Sequence, residues 1–179
     1  MVINPRALLV VATSLVVTAS AQAAIVGSVC NFAWVRNGVV LEERNVICSA
    51  LLPEYYRAVT TENGGYAAFS TDLSENTLTI LSDVSGVQQF IPDATQTIRI
   101  TLPTGVLVSS FTLAGVTGIT GFAQDDLFFE GRTLKIRMNG NAFASGAGRI
   151  DMTFGYVPAP GAIALLAAGG CMGSRRRRG

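Results

Sequence analysis

Ile150-Asp151-Met152-Thr153-Phe154-Gly155-Tyr156 places an aliphatic or aromatic residue at every second position. A period of two sends successive side chains to opposite faces of an extended chain, so Ile150, Met152, Phe154 and Tyr156 share one face of a strand. The same alternation runs through Ile98-Arg99-Ile100-Thr101-Leu102 and Leu134-Lys135-Ile136-Arg137-Met138. Further strand candidates are Val29 to Val35, Val39 to Glu43, Tyr66 to Thr71, Thr77 to Ser82, Val106 to Leu113 and Asp126 to Phe129. Turn formers separate them: Asn37-Gly38, Glu62-Asn63-Gly64-Gly65, Ser74-Glu75-Asn76, Ser85-Gly86, Pro103-Thr104-Gly105, Gly115 to Gly121, Glu130-Gly131 and Asn139-Gly140-Asn141. Many short strands with frequent turns predict an all-β fold, a single antiparallel β-sandwich of the jelly-roll or Ig-like kind.

A helix is expected at most once. Leu51, Leu52, Tyr55, Tyr56 and Val59 have helix-like spacing over Cys48 to Val59, and Pro53 is suited to a first turn, with a strand as the competing assignment. Trp34, Phe69, Phe111, Phe122, Phe128, Phe143 and Phe154 are spread over many segments, which assigns most of them to the core. Trp34 with Tyr55 and Tyr56 is the best candidate for an exposed aromatic platform of the kind that binds sugars.

Both ends of the chain differ from the middle. Residues 1–23 carry one early positive charge at Arg6, an uncharged apolar run from Ala7 through Val17, and Ala21-Gln22-Ala23 as a small-x-small cleavage site. That order is a secretory signal peptide, with cleavage expected after Ala23. The other end, 157–179, reads V-P-A-P-G-A-I-A-L-L-A-A-G-G-C-M-G-S-R-R-R-R-G. Pro158 and Pro160 hold the backbone extended and push Val157 and Ala159 away from helical angles. Ala162 to Met172 is uncharged, but a helix rising about 1.5 Å per residue makes it much shorter than the roughly 30 Å of a bilayer core. Arg175, Arg176, Arg177 and Arg178 are expected to stay on the cytoplasmic side, with the body of the protein outside.

The proline pair, short apolar helix and terminal arginines, in that order, resemble the tails of the PEP-CTERM class of bacterial exported proteins. Val157, Pro158, Pro160, Gly161 and Arg175 to Arg178 carry the resemblance, while Ala159 stands where the class has its glutamate. The resemblance covers about the last twenty residues and implies a sorting signal removed by an exosortase, a membrane-embedded protease. It implies transient insertion of the tail in the inner membrane, then release or attachment at the cell surface or in the exopolysaccharide matrix.

The domain between the two ends, 24–156, has its own charge. Arg6 and the four tail arginines are five of the thirteen basic residues, leaving eight against twelve acidic ones and a net charge of −4. A mildly acidic domain has no basic patch with which to neutralise phosphates, so nucleic acid is not an expected partner. Of three cysteines, Cys171 lies in the tail, leaving Cys30 and Cys48 as a candidate disulfide in an oxidising compartment. A regular two-residue turn at Asn37-Gly38 would set Cys30 opposite Asn45, so a bridge requires a bulge or another turn.

The chemistry available is limited. The chain has no histidine, which removes Ser-His-Asp and Cys-His catalysis and histidine-ligated zinc. Gly115, Gly118 and Gly121 lack a following lysine, so they read as a loop or bent strand and not as a phosphate cradle. Carboxylates remain: Asp125, Asp126 and Glu130, and Glu42 with Glu43, although neighbours on a strand point to opposite faces and cannot flank one bond. Asp125 and Asp126 beside the glycine-rich stretch are also oxygen donors of the type calcium takes, without a calcium-loop spacing. No cofactor and no catalytic residue is assigned.

These features predict an exported, non-enzymatic surface or matrix protein with a structural or adhesive role, handled by export machinery and an exosortase-type protease. A carbohydrate-binding module for extracellular polysaccharide is the alternative. A small carboxylate-based hydrolase is a second one.

Overall fold

In a computed structural model of the chain, residues 25–50, 53–60, 66–82, 88–90, 94–143 and 148–158 are described. Among them the protein is all-β and antiparallel, with no α-helix. The strands are β1 (Val29–Arg36), β2 (Val39–Ile47), β3 (Tyr55–Thr60), β4 (Tyr66–Leu73), β5 (Thr77–Ser82), β6 (Gln88–Gln89) and β7 (Gln96–Thr101). They continue with β8 (Val106–Thr117), β9 (Ile119–Thr120), β10 (Leu127–Glu130), β11 (Thr133–Arg137), β12 (Ala142–Phe143) and β13 (Gly148–Pro158). One five-stranded sheet has the order β10-β11-β7-β1-β2 and the other β3-β4-β5-β13-β8. A small third sheet runs β6-β12-β9.

Period-two patterning accounts for the core. Ile98 and Ile100 on β7, Leu134 and Ile136 on β11, and Ile150, Met152 and Phe154 on β13 are all buried, while their neighbours are not. The inward faces of the two large sheets meet. Trp34 of β1 lies 5.6 Å from Phe69 of β4 and 5.8 Å from Phe90, and Phe90 is 5.5 Å from Phe143. Phe32 stacks on Tyr55 at 5.7 Å with 11° between the rings.

Three expectations need correction. The segment Cys48 to Val59, expected to hold at most a short helix with a strand as the competing assignment, contains the strand β3, because Tyr55 is drawn inward against Phe32 while the backbone pairs with β4 from Tyr55↔Thr71 to Thr60↔Tyr66. The helical element among the described residues is a single 3-10 turn at Gln124–Asp126. Trp34 and Tyr55 are 2 % and 1 % exposed, so they build the core and offer no sugar platform; the side chain of Tyr56 lies outside the described residues. Phe128, assigned to the core, is 41 % exposed on the edge strand β10, where the Lys135 ammonium sits 5.9 Å over its ring.

The β1–β2 hairpin shows how turn chemistry sets register. Asn37 (φ 50°) and Gly38 (φ 79°) occupy the two left-handed positions of a tight turn. Asn37 tolerates its strain through a local tie, since its Oδ1 accepts the Thr95 N–H at 2.9 Å and its own N–H donates to the Thr95 carbonyl at 2.8 Å. A bulge follows at once, the pairing shifting between Trp34↔Glu42 and Val35↔Val40. Cys30 is therefore opposite Val46 and not Asn45. Gly115 lies within β8, and Gly118 (φ 64°) and Gly121 (φ 85°) bend the chain on either side of β9, so the glycine-rich stretch is a bent strand.

Gly148 marks a place where a strand needs the absence of a side chain. A Cβ there would lie 2.6 Å from Phe143 Cδ1 and 3.2 Å from Ile119 Cγ1, whereas at Gly115 nothing lies within 4 Å. Gly148→Ala is expected to lower unfolding free energy by about 1–3 kcal/mol through overpacking. Gly115→Ala should stay within about 0.5 kcal/mol of the parent; urea denaturation midpoints of the two variants check the contrast.

Candidate functional site: the chain ends and the thiol pair

The turn Ser74-Glu75-Asn76 joins β4 to β5 and is closed by the Ser74 N–H donating to the Thr77 carbonyl at 2.9 Å. Its central carboxylate is the meeting point of the two ends of the domain. Glu75 Oε2 accepts the Ile25 N–H and Oε1 the Val26 N–H, each at 3.1 Å. The Tyr156 hydroxyl donates to the same Oε2 at 3.1 Å. The turn also reaches β13 through its backbone, the Phe154 N–H donating to the Asn76 carbonyl at 2.9 Å. Ile25, two residues past the expected leader cleavage site, is fully buried and part of the core.

The same end of the domain holds the cysteines. The Gly27 N–H donates to the Cys48 carbonyl at 2.8 Å, and the Cys48 N–H donates to the Ser28 carbonyl at 2.9 Å. With Cys48 level with Ser28, Cys30 is its diagonal neighbour on the same face. Both are buried thiols in contact, and the hydrogen bond with Cys30, followed by burial, holds Cys48 protonated far above the ordinary thiol range. The bulge supplies the register shift that a regular hairpin lacked.

Next along the chain, Glu54 ties this corner together. Its Oε1 accepts the Ser49 N–H at 2.6 Å and its Oε2 the Leu73 N–H at 2.7 Å, linking the segment after Cys48 to the end of β4 beside the Glu75 turn. Burial pushes the Glu54 carboxyl above its ordinary 4.5, against the opposing pull of those backbone donors.

The tail begins inside the sheet. β13 includes Val157 and Pro158, paired with Leu107 and Val106 of β8, and Val157 is 48 % exposed. Pro160, Gly161 and Arg175 to Arg178, like the cleavage-site residues Ala21 and Ala23, lie outside the described residues. Among the described residues no helix is long and apolar enough to cross a membrane.

Three of the carboxylates singled out for chemistry, Glu42, Asp126 and Glu130, are engaged by cations. Asp126 Oδ1 accepts Arg137 Nε at 3.1 Å and its Oδ2 accepts the Ala123 N–H at 3.0 Å, while Arg137 Nη2 donates to the Asp125 carbonyl at 2.6 Å. Glu130 pairs with Lys135 at 2.7 Å, and Glu42 with Arg44 at 2.7 Å. Glu42 is opposite Trp34 and Glu43 opposite Ala33, which puts the two on opposite faces of β2. No group of three metal-ligating side chains occurs among the described residues.

Comparison with known proteins adds no further assignment: no protein-family model, no curated protein and no solved structure matches the chain.

Glu54→Gln would leave one of the two backbone donors facing an NH2 group. The expected cost is about 1–3 kcal/mol. Because the folded chain retains this proton where the unfolded chain has released it, Glu54 makes stability fall as pH rises through the window just above 4.5. Glu54→Gln should lack that fall, which urea denaturation at pH values from below 4.5 to neutrality would measure.

Proposed function

We propose that this chain is an exported surface or matrix protein, delivered by an N-terminal leader and sorted through a PEP-CTERM-like tail. The domain is a β-sandwich of the jelly-roll or Ig-like kind with a non-enzymatic structural or adhesive role. The observation that carries the reading is the tail, where a proline-held extended site, a short apolar run and four terminal arginines follow one another in a chain that opens with an export leader. The convergence of Ile25, Val26 and Tyr156 on Glu75 supports it. The first described residues and the last strand thus meet at one corner of the domain.

In an oxidising compartment Cys30 and Cys48, already in contact, join as a disulfide across the diagonal of the first hairpin. Such a bridge would stabilise the domain by about 3 kcal/mol, since it closes a loop of this order in the unfolded chain.

Replacing Arg175 to Arg178 with glutamine should leave the tail on the purified product and retain it in the membrane fraction. The native product should instead have the mass of a chain that starts at Ala24 and has lost its arginines. Intact mass measurement decides, and tail removal that proceeds unchanged without the arginines would overturn the sorting role. The native product, unfolded without reductant, should titrate no thiol from Cys30 or Cys48, and two titratable thiols would exclude the bridge.

A further inference from the structure

β2 ends the first large sheet, and among the described residues no strand lies beyond it. The Cys48 N–H donates to the Ser28 carbonyl at 2.9 Å, which fixes the alternation along the ladder with β1. Glu42, Arg44 and Val46 therefore turn their backbone groups to β1, and Glu43, Asn45 and Ile47 turn theirs to the open edge. Large apolar side chains are exposed at both ends of the strand: Val39, Val40 and Leu41 at one, and Ile47 with its β1 neighbour Val29 at the other.

Two other sheet edges are protected. On β8 the Leu113 N–H donates to Gln124 Oε1 at 2.7 Å, Gln124 Nε2 donates to the Phe111 carbonyl at 3.0 Å, and the Val108 N–H donates to the Gly131 carbonyl at 2.9 Å. β10 has only four residues. By contrast, β2 has nine residues and no such cover, which makes it a template for another strand.

Charge decides which strand fits. Glu42 and Arg44 lie two apart on one face, opposite Trp34 and Phe32, and pair with each other at 2.7 Å. A two-fold axis perpendicular to the sheet and passing beside Glu43 sets a second β2 antiparallel to the first. Glu42 of each copy then faces Arg44 of the other, and the four charges alternate in sign around the axis. The neighbouring antiparallel registers would set Glu42 against Glu42 or Arg44 against Arg44, which like charges disfavour. One like-charge contact remains in the favoured register, Glu43 against Glu43. The bulge leaves Leu41 without a β1 partner, so the regular ladder is confined to the residues around Glu43. Beyond it Val39 to Leu41 of one copy run alongside Asn45 to Ile47 of the other.

We propose that β2 is a self-association edge, through which two copies of this chain pair antiparallel about a two-fold axis at Glu43. The contact joins two five-stranded sheets into one and closes the open edge of both copies. One strand per copy buries about 1,200 Å² in total or less, the size of transient interfaces, so the dimer dissociates on dilution. The proposal does not depend on how the chain is sorted.

Sedimentation equilibrium of the purified chain, in the form its cell produces, tests it from micromolar to millimolar concentration. A reversible monomer–dimer equilibrium is expected, and a monomer at every concentration would overturn the proposal. Arg44→Glu puts acid against acid at two contacts and should weaken the dimer at least about fivefold. Glu43→Gln removes the remaining repulsion and should tighten it roughly two- to fivefold; a dimer no tighter than the parent's would overturn the axis and the proposal with it. Glu42→Arg alone should also weaken association, whereas its mixture with Arg44→Glu restores opposite charges at both contacts and should form a heterodimer. A mixture that fails to associate counts against the pairing. If Glu42→Arg does not fold, Arg44→Glu and Ile47→Lys replace side chains that are 62 % and 64 % exposed, and a dimer unchanged by either one would overturn the β2 edge as its seat.

Discussion

The architecture depends on one apolar interlock between the two large sheets. Trp34 from β1 contacts Phe69 from β4 and reaches Phe90, which touches Phe143, while Phe32 and Tyr55 stack alongside. A buried aromatic side chain removes about 150–250 Å² from water, at about 25 cal/mol per Å². Neither sheet can form its hydrogen bonds in isolation and leave such a face to solvent. The aromatic cluster is therefore what makes two sheets into one domain, and it explains why aromatics scattered along the sequence converge in space.

A second constraint acts at the corner where the chain enters and leaves. Glu75, Glu54 and the Cys30–Cys48 contact join four segments distant in sequence: 25–30, 48–54, 73–77 and 154–156. Backbone N–H groups that no strand partner satisfies are met here by carboxylates, which pair polar groups that would be costly to bury alone. The corner places the domain's own polar bonding close to its first described residues and to the end of its last strand.

Much of the strand plan was legible in the sequence because a half-buried strand writes its period directly. Thr77 to Ser82 was read residue for residue, and β7, β11 and β13 follow their alternating Ile, Leu, Met and Phe positions. Strand lengths were less legible. β2 continues to Ile47 and β8 to Thr117 through stretches where only Val46 and Val116 pack against the core, which is too little for a period to show. β6, β9 and β12 have two residues each, too few for any period to emerge. β3 was obscured because helix-like spacing of Tyr55 and Val59 competed with a pairing visible only once β4 stands beside it.

The sequence by itself determined the order of the chemistry: an apolar opening stretch, an alternating acidic middle without histidine, and a closing run of prolines, apolar residues and arginines. These are properties of neighbouring residues, and local spacing expresses them. Only the tertiary structure decided that Trp34 and Tyr55 point inward, that a bulge brings Cys30 diagonal to Cys48, and that Glu75 receives Ile25, Val26 and Tyr156 together. Each of those facts depends on which strands become neighbours across 18 to 81 or more positions of chain. That choice is made by burying apolar faces against one another, and no short window of sequence contains it.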